Sequence, residues 1–210
     1  MTTAARRADR DPLSREVVVD TALALVTAQG VDALTMRRLA TELGTAVTAI
    51  YWHVGNRDAL LDLLVERVLA DIGTVRPAGR TPQSRVASLV RRLRAALLDH
   101  PHLIGLVHER GAAARMFQPV QAVLATELAA VGQHGETAAL TIQALQQHVI
   151  ASLVLERALA RTPAPDPEVI EHWEGPGGDP ALLAALARQP DHERLFEVGL
   201  DALLAHLVPR

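Results

Sequence analysis

The 210-residue sequence contains no cysteine and no lysine; all 21 basic positions are arginine. Without cysteine there are no disulfides, thiol nucleophiles, iron–sulfur clusters or cysteine-type zinc fingers. Without lysine there is no P-loop lysine, Schiff-base lysine or kinase lysine. Aromatic residues are scarce: Tyr51, Trp52, Phe117, Trp173 and Phe196. A fold built on aromatic-rich strands is therefore not expected. Net charge is low, at −3. The longest stretch free of acidic and basic residues, Thr137–Leu155, reaches membrane-spanning length. It carries Thr137, Thr141, Gln143, Gln146, Gln147, His148 and Ser152, which would be costly in hydrocarbon, so it reads as a buried helix of a soluble protein. Arg6-Arg7 precedes a charged stretch rather than an apolar one, so no export signal is read there. A cytoplasmic location and no membrane partner are expected.

What is present is helix. Hydrophobic residues make up 49% of the chain, with Ala and Leu dominant, and no strand-type alternation persists beyond a few residues. Ser14 caps a helix predicted over 15–29 that stops at Gly30. Thr35 caps a second over 36–43, ended by Gly44, and a short third spans 46–53, broken by Gly55-Asn56. A fourth runs over 57–72. Gly73–Pro82 is a linker, and Thr81-Pro82 starts a helix reaching Asp99 or His100. Further helices are expected over 102–109, over 114–131 with a bend or restart at Pro119, and over 136–161. The stretch 162–180 reads as a proline-rich loop, followed by helices to about 187 and 208. The expected fold class is all-α. An N-terminal three-helix unit (1–56) is joined by helix four, without a linker, to a larger helical body (57–210).

The front unit holds the informative pattern. Two short helices joined by a tight glycine turn have the spacing of a helix-turn-helix, whose second helix enters the DNA major groove. On its own that pattern also fits an ordinary three-helix corner. The side chains favour DNA. Thr48, Tyr51, Trp52 and His53 share the second helix, and Tyr51 and Trp52 lie about 100° apart around it, so both cannot face a core. Hydroxyl, phenol and imidazole groups reach phosphates or base edges. Arg37 and Arg38 open the preceding helix, and arginine is the commonest reader of guanine. Arg57 opens the next, where its charge and the helix N-terminus both favour a phosphate.

The run from Gly30 through Thr35-Met36-Arg37-Arg38-Leu39-Ala40 and Leu43-Gly44 to Ile50-Tyr51-Trp52-His53-Val54-Gly55-Asn56-Arg57-Asp58-Ala59-Leu60-Leu61 resembles the TetR (tetracycline-repressor) family of bacterial transcription regulators. The resemblance covers roughly residues 14–64. It implies that Thr35 caps the second helix and touches phosphate, and that Arg37 reaches a base edge. It also implies that Val47, Thr48 and Ala49 face the groove, that Tyr51 and His53 hold backbone phosphates, and that Arg57 takes the place of a lysine phosphate contact. Trp52 joins this DNA-facing set. Val47 and Ala49 stand where polar residues or glycine are common, so readout there should rest on methyl contacts to thymine. Gly55 replaces a common proline or charged residue. Residues 1–57 hold seven arginines against six acids, so binding must come from a positive face rather than a positive total. Arg6, Arg7 and Arg10 form a tail that can reach backbone or minor groove.

In the body, the helices over 136–161 and toward 208 carry too many apolar residues for one stripe. A homodimer is expected, with Leu145, Val149, Leu153, Phe196, Gly199, Leu200, Leu203 and Leu207 at its interface. A pocket between helices should take a small-molecule effector, with His102, His108, Phe117, Gln143 and Gln147 as candidate lining. No cofactor is expected. No His-Glu-x-x-His is present and His100-x-His102 brackets a proline, so no metal site is expected either. The four serines lack a nucleophile-elbow context, and Gly175-Pro176-Gly177-Gly178 reads as a turn, so no catalytic role is assigned. These features point to a ligand-responsive regulator, a repressor bound as a dimer to a pseudo-palindromic double-stranded operator. The alternative is a helical small-molecule-binding or scaffold protein with a non-functional DNA-binding unit.

Overall fold

The computed structural model describes residues 13–100, 102–159, 179–186 and 188–207. Among them are ten α-helices and no strand: α1 (Arg15–Gln29), α2 (Met36–Leu43), α3 (Val47–Val54), α4 (Arg57–Gly73), α5 (Pro82–Leu98), α6 (Leu103–Glu109), α7 (Ala113–Ala129), α8 (Gly135–Leu159), α9 (Pro180–Leu186) and α10 (His192–Leu207). The arginine arm at positions 6, 7 and 10, most of the proline-rich loop and the Leu207 side chain lie outside the described residues.

Local chemistry sets the helix limits near the front. The Ser14 hydroxyl accepts from the Val17 N–H, Thr35 Oγ1 from the Arg38 N–H at 3.2 Å, and Asn56 Oδ1 from the Ala59 N–H at 2.8 Å. Each such cap is worth about 1 kcal/mol. Beside the first, the Glu16 carboxyl lies below its usual range because its own backbone N–H and the Ser14 hydroxyl stabilise the anion. Gly44 ends α2 in the left-handed region (φ 60, ψ 38), and its N–H and that of Thr45 return to the Ala40 carbonyl. Gly55 separates α3 from α4 at φ 73, ψ −135, a backbone that only glycine adopts without strain, which accounts for the residue type there.

The chain divides into two compact units: residues up to Val75 with Ala96–Pro119, and Arg76–Ala95 with Val120 onward. Helices α5 and α7 each run from one unit into the other. Pro119 sits at the crossing within α7, which continues through it without a restart. The ring is on an exposed position, where the carbonyl four residues earlier keeps access to water.

In the first unit, α1 packs on α2, α3 and α4, burying Val18, Ala22, Leu25 and Val26 with Leu34, Leu39, Ile50, Leu60 and Leu64. Helix α4 also packs on α6, where Leu103, Leu106 and Val107 are buried. In the second unit, α8 packs on α10 along Leu145, Val149, Leu153, Phe196, Leu200 and Leu204. Helix α8 is long and apolar enough to cross a membrane by length and composition. It buries one stripe and leaves Leu140, Val154, Leu155 and Leu159 exposed.

Arginines of α5 fasten this second unit. Arg91 holds Glu197 through Nε at 2.8 Å and Nη2 at 2.6 Å. The hydrogen bonds from Arg91 hold the Glu197 carboxyl below its usual range, and the same bonds raise Arg91. Because the folded Glu197 ionises more readily than the unfolded one, its stabilising effect is complete above the ordinary glutamate range. It is lost as pH falls through the lowered folded value. We expect Glu197→Gln to lower stability at pH 7 while flattening the acid limb of the stability–pH curve, measured by urea unfolding from pH 7 to 3. An unchanged acid limb would count against this pair.

Candidate nucleic-acid interface

Helix α3 is held by one side only. Ile50 and Val54 are buried against α1 and α2, with Ile50 fully so. The turns between leave the other face open: Thr48 is exposed, Tyr51 is 48% exposed and Trp52 is 85% exposed. A tryptophan in water on an eight-residue helix is unusual, because burying its ring is favourable. Trp52 meets His53 edge-on at 5.2 Å, which orients the indole without covering it. Val47, Ala49 and His53 are half-buried. Ala46 precedes α3 and supplies no capping oxygen, so the first turn of the helix has no side-chain cap.

The flanking groups complete the face. Thr35 is exposed and caps α2. Arg37 is exposed, and its guanidinium makes no hydrogen bond or ion pair among the described residues, so it is available to a ligand. Its neighbour Arg38 is engaged: Nη2 donates to Gln29 Oε1. Arg57 was expected from its position to hold a phosphate. The structure points its guanidinium at two backbone oxygens, Nε to Leu34 at 2.9 Å and Nη2 to Val31 at 3.1 Å. It thereby ties the start of α4 to the segment entering α2, and the remaining N–H groups are its capacity for a further anion.

The other candidates are scattered. His102 precedes α6 and is half-buried, with its ring near Gly30. His108 is exposed, with Nδ1 at 3.0 Å from the Ile104 carbonyl. Phe117 is buried, and Gln143 and Gln147 are exposed on α8. A cavity of about 200 Å³ in the second unit is lined by His148, Ala151, Ser152, Leu155, His192, Leu195 and Phe196, and so by none of these five.

The residues expected at a dimer interface are mostly used inside the protomer. Leu145, Val149 and Leu200 are fully buried, and Leu153 and Phe196 nearly so. Gly199 does permit a close approach, but to the same chain: a Cβ there would collide with the His148 ring. That imidazole stacks on Phe196 at 4.9 Å and bonds its carbonyl at 2.9 Å. Leu203 is half-buried. Periodicity could not separate the inner stripe from the outer one, because both are apolar.

A short glycine-ended α2, a second helix with an open polar and aromatic face, and an adjacent free arginine define the helix-turn-helix class of DNA-binding proteins. Known proteins agree. Residues 18–64 match the family model of bacterial regulatory proteins, tetR family, and residues 77–208 match the tetracyclin repressor-like C-terminal domain. The chain belongs to the TetR family. It is similar to ActR of Streptomyces coelicolor, at 31% identity over 94% of this chain and 98% of that one, with a TM-score of 0.65. ActR has been solved with (S)-DNPA and with actinorhodin. An HTH-type transcriptional repressor of Mycobacterium tuberculosis is 29% identical, covering 96% of this chain and 82% of the relative. An HTH-type transcriptional regulator of Saccharopolyspora erythraea is 33% identical over 98 residues, 47% of this chain and 42% of the relative, so that match spans about two-fifths of its length. The Mycobacterium and Saccharopolyspora relatives are transcription regulators. The resemblance carried by residues 30–61 is thus extended through the body of the chain.

Proposed function

We propose that the protein is a ligand-responsive, sequence-specific transcriptional repressor that leaves a pseudo-palindromic operator when a small-molecule effector binds. The observation that carries this reading is the open face of α3, with Trp52, Tyr51 and Thr48 in solvent beside the unpaired Arg37. Arg37 reads a base edge, while Val47, Thr48 and Ala49 meet the groove floor. Thr35, Tyr51, His53 and the spare donors of Arg57 hold phosphates, and Trp52 packs against the sugar–phosphate wall. Residues 1–56 act as the DNA-binding part and 57–210 as the effector-binding and dimerisation part. The protein acts in the cytoplasm, without catalysis.

Two copies pair through the apolar side chains the protomer leaves uncovered on α8 and α10: Leu140, Val154, Leu155, Leu195 and Val198. The ActR complexes support an effector site in the body. Effector and operator affect one another by the same factor, because their binding free energies are linked.

The test is selection of duplexes from a random pool by the full-length protein, followed by equilibrium binding. Arg37→Ala should weaken the enriched duplex about 5- to 150-fold per half-site and relax preference at one base pair, the cost of one bidentate base contact. Tyr51→Ala should weaken all duplexes evenly. Wild-type affinity in both variants would refute the site, and no enrichment by the wild type would leave the binding or scaffold reading in its place.

A further inference from the structure

We infer that Arg57 is a positioning residue for base readout: through the Val31 and Leu34 carbonyls it fixes the start of α2 and so aims Arg37 at its base pair. This rests on the DNA-binding reading above and deepens it, since that reading gives Arg57 phosphates alone. The guanidinium lies against the segment that joins α1 to α2. Nε donates to the Leu34 carbonyl at 2.9 Å and Nη2 to the Val31 carbonyl at 3.1 Å. Nε and Nη2 share one edge of the planar fork, so the two bonds together hold the group at one orientation. A lysine ammonium at the same place is a point charge and imposes no such orientation. The opposite edge of the guanidinium keeps the donors that can meet a phosphate.

The joining segment has little else to set its peptide planes. The chain leaves α1 at Gly30 with φ 87, and Val31–Ala33 form one 3₁₀ turn, closed by the Leu34 N–H on the Val31 carbonyl at 3.1 Å. A single turn of that kind is weakly held by its own bonds. Leu34 precedes the Thr35 cap, so its carbonyl lies outside the hydrogen-bond ladder of α2, and Arg57 is the donor it meets. The Leu34 and Met36 side chains are buried and fix where the segment sits. The two bonds from Arg57 fix how the peptide entering Thr35 is turned. Thr35 then caps the Arg38 N–H at 3.2 Å, and Arg38 Nη2 holds Gln29 at the end of α1. Arg37, the second residue of α2, stands between these held points with its own side chain exposed. A bidentate base contact needs placement within about 0.5 Å and 10–20°, so a loosened first turn costs discrimination before it costs the fold.

The experiment uses the full-length protein and the duplex it enriches from a random pool, varied at the base pair whose preference Arg37→Ala removes. Arg57→Lys keeps the charge and loses the fork. It should lower the preference at that base pair about 3- to 10-fold, part of what one bidentate contact supplies. The slope of log affinity against log salt should stay at its wild-type value, because the same number of phosphates is neutralised. In the Arg37→Ala background, Arg57→Lys should change base preference less than about twofold, since the group it aims is gone. An arginine that served only the fold would weaken all duplexes evenly and leave base preference alone. Amide exchange should quicken at Leu34 and Arg38 in Arg57→Lys and stay unchanged at Leu25. Wild-type base preference in Arg57→Lys, or an equal loss with and without Arg37, overturns the positioning role and leaves the DNA-binding reading intact. Enrichment of no duplex by the wild type defeats the DNA-binding reading itself, and with it the aim. Unchanged exchange at Leu34 and Arg38 overturns the tie independently of DNA.

Discussion

Leu195→Glu together with Val198→Glu should leave the chain monomeric at micromolar concentration and weaken a full operator by 10²-fold or more. Both side chains are more than half exposed, at 57% and 62%, on the outer face of α10. Leu140, Val154 and Leu155 on α8 are similarly open. Fully burying one such side chain is worth about 1.5–3 kcal/mol, so a two-fold interface using five from each copy gathers ample driving force. A glutamate at its centre would meet apolar surface and its own symmetry mate, and would stay outside. The inner stripe of Leu145, Val149, Phe196 and Leu200 is untouched, so each protomer should keep its fold. Operator affinity falls because two half-sites on one dimer act at an effective concentration that separate monomers lack, a factor of about 10²–10⁴. Analytical ultracentrifugation and operator titration check both parts. A dimeric double variant would place the interface elsewhere.

Arg94→Ala should lower stability by about 2–4 kcal/mol, less than the largest values for breaking buried pairs because its partners remain partly hydrated. Arg94 is 5% exposed. It donates Nη1 to Glu193 and Nη2 to Glu156 at 2.7 Å, and its guanidinium carbon lies 4.8 Å from the Phe196 ring centre. One side chain thus joins α5, α8 and α10. Truncation strands two carboxylates and removes both the stacked plane and the buried stem. For a chain of this size the melting temperature should fall by about 5–15 °C. Arg94→Lys should recover little, because an ammonium lacks the planar fork. Arg94→Met should recover more than Lys, since it restores packing and removes the buried Nε that has no partner. Thermal unfolding at fixed protein concentration is the measurement, because dimerisation couples to stability. If Lys restores full stability, charge alone is the determinant.

Much of the front unit was legible because its signals are local. Ser14 and Thr35 cap helices through N–H groups three residues away, and Gly44 closes the turn between α2 and α3 through its own backbone. Tyr51 and Trp52 were conspicuous in a chain with five aromatics, and the structure leaves both in solvent. The body was less legible. Its apolar residues announced long helices, yet the same residue types line both faces of α8 and α10. The uncovered set therefore differs from the set named by periodicity.

Arg57 shows the limit most clearly. Its sequence position suggested a phosphate, while its carbonyl partners lie 23 and 26 residues earlier. The ion pairs of Arg110 with Asp58 and Asp62 span 52 and 48 residues. By itself, the sequence determined the all-helical class, the helix-turn-helix spacing and the absence of lysine and cysteine chemistry, because these depend on residue type and short-range spacing. Only the tertiary structure decided which arginines stay exposed and which are held within the protein, and which apolar stripe stays uncovered. Those outcomes depend on which distant side chains and carbonyls the packed helices bring within about 3 Å, a distance no spacing rule encodes.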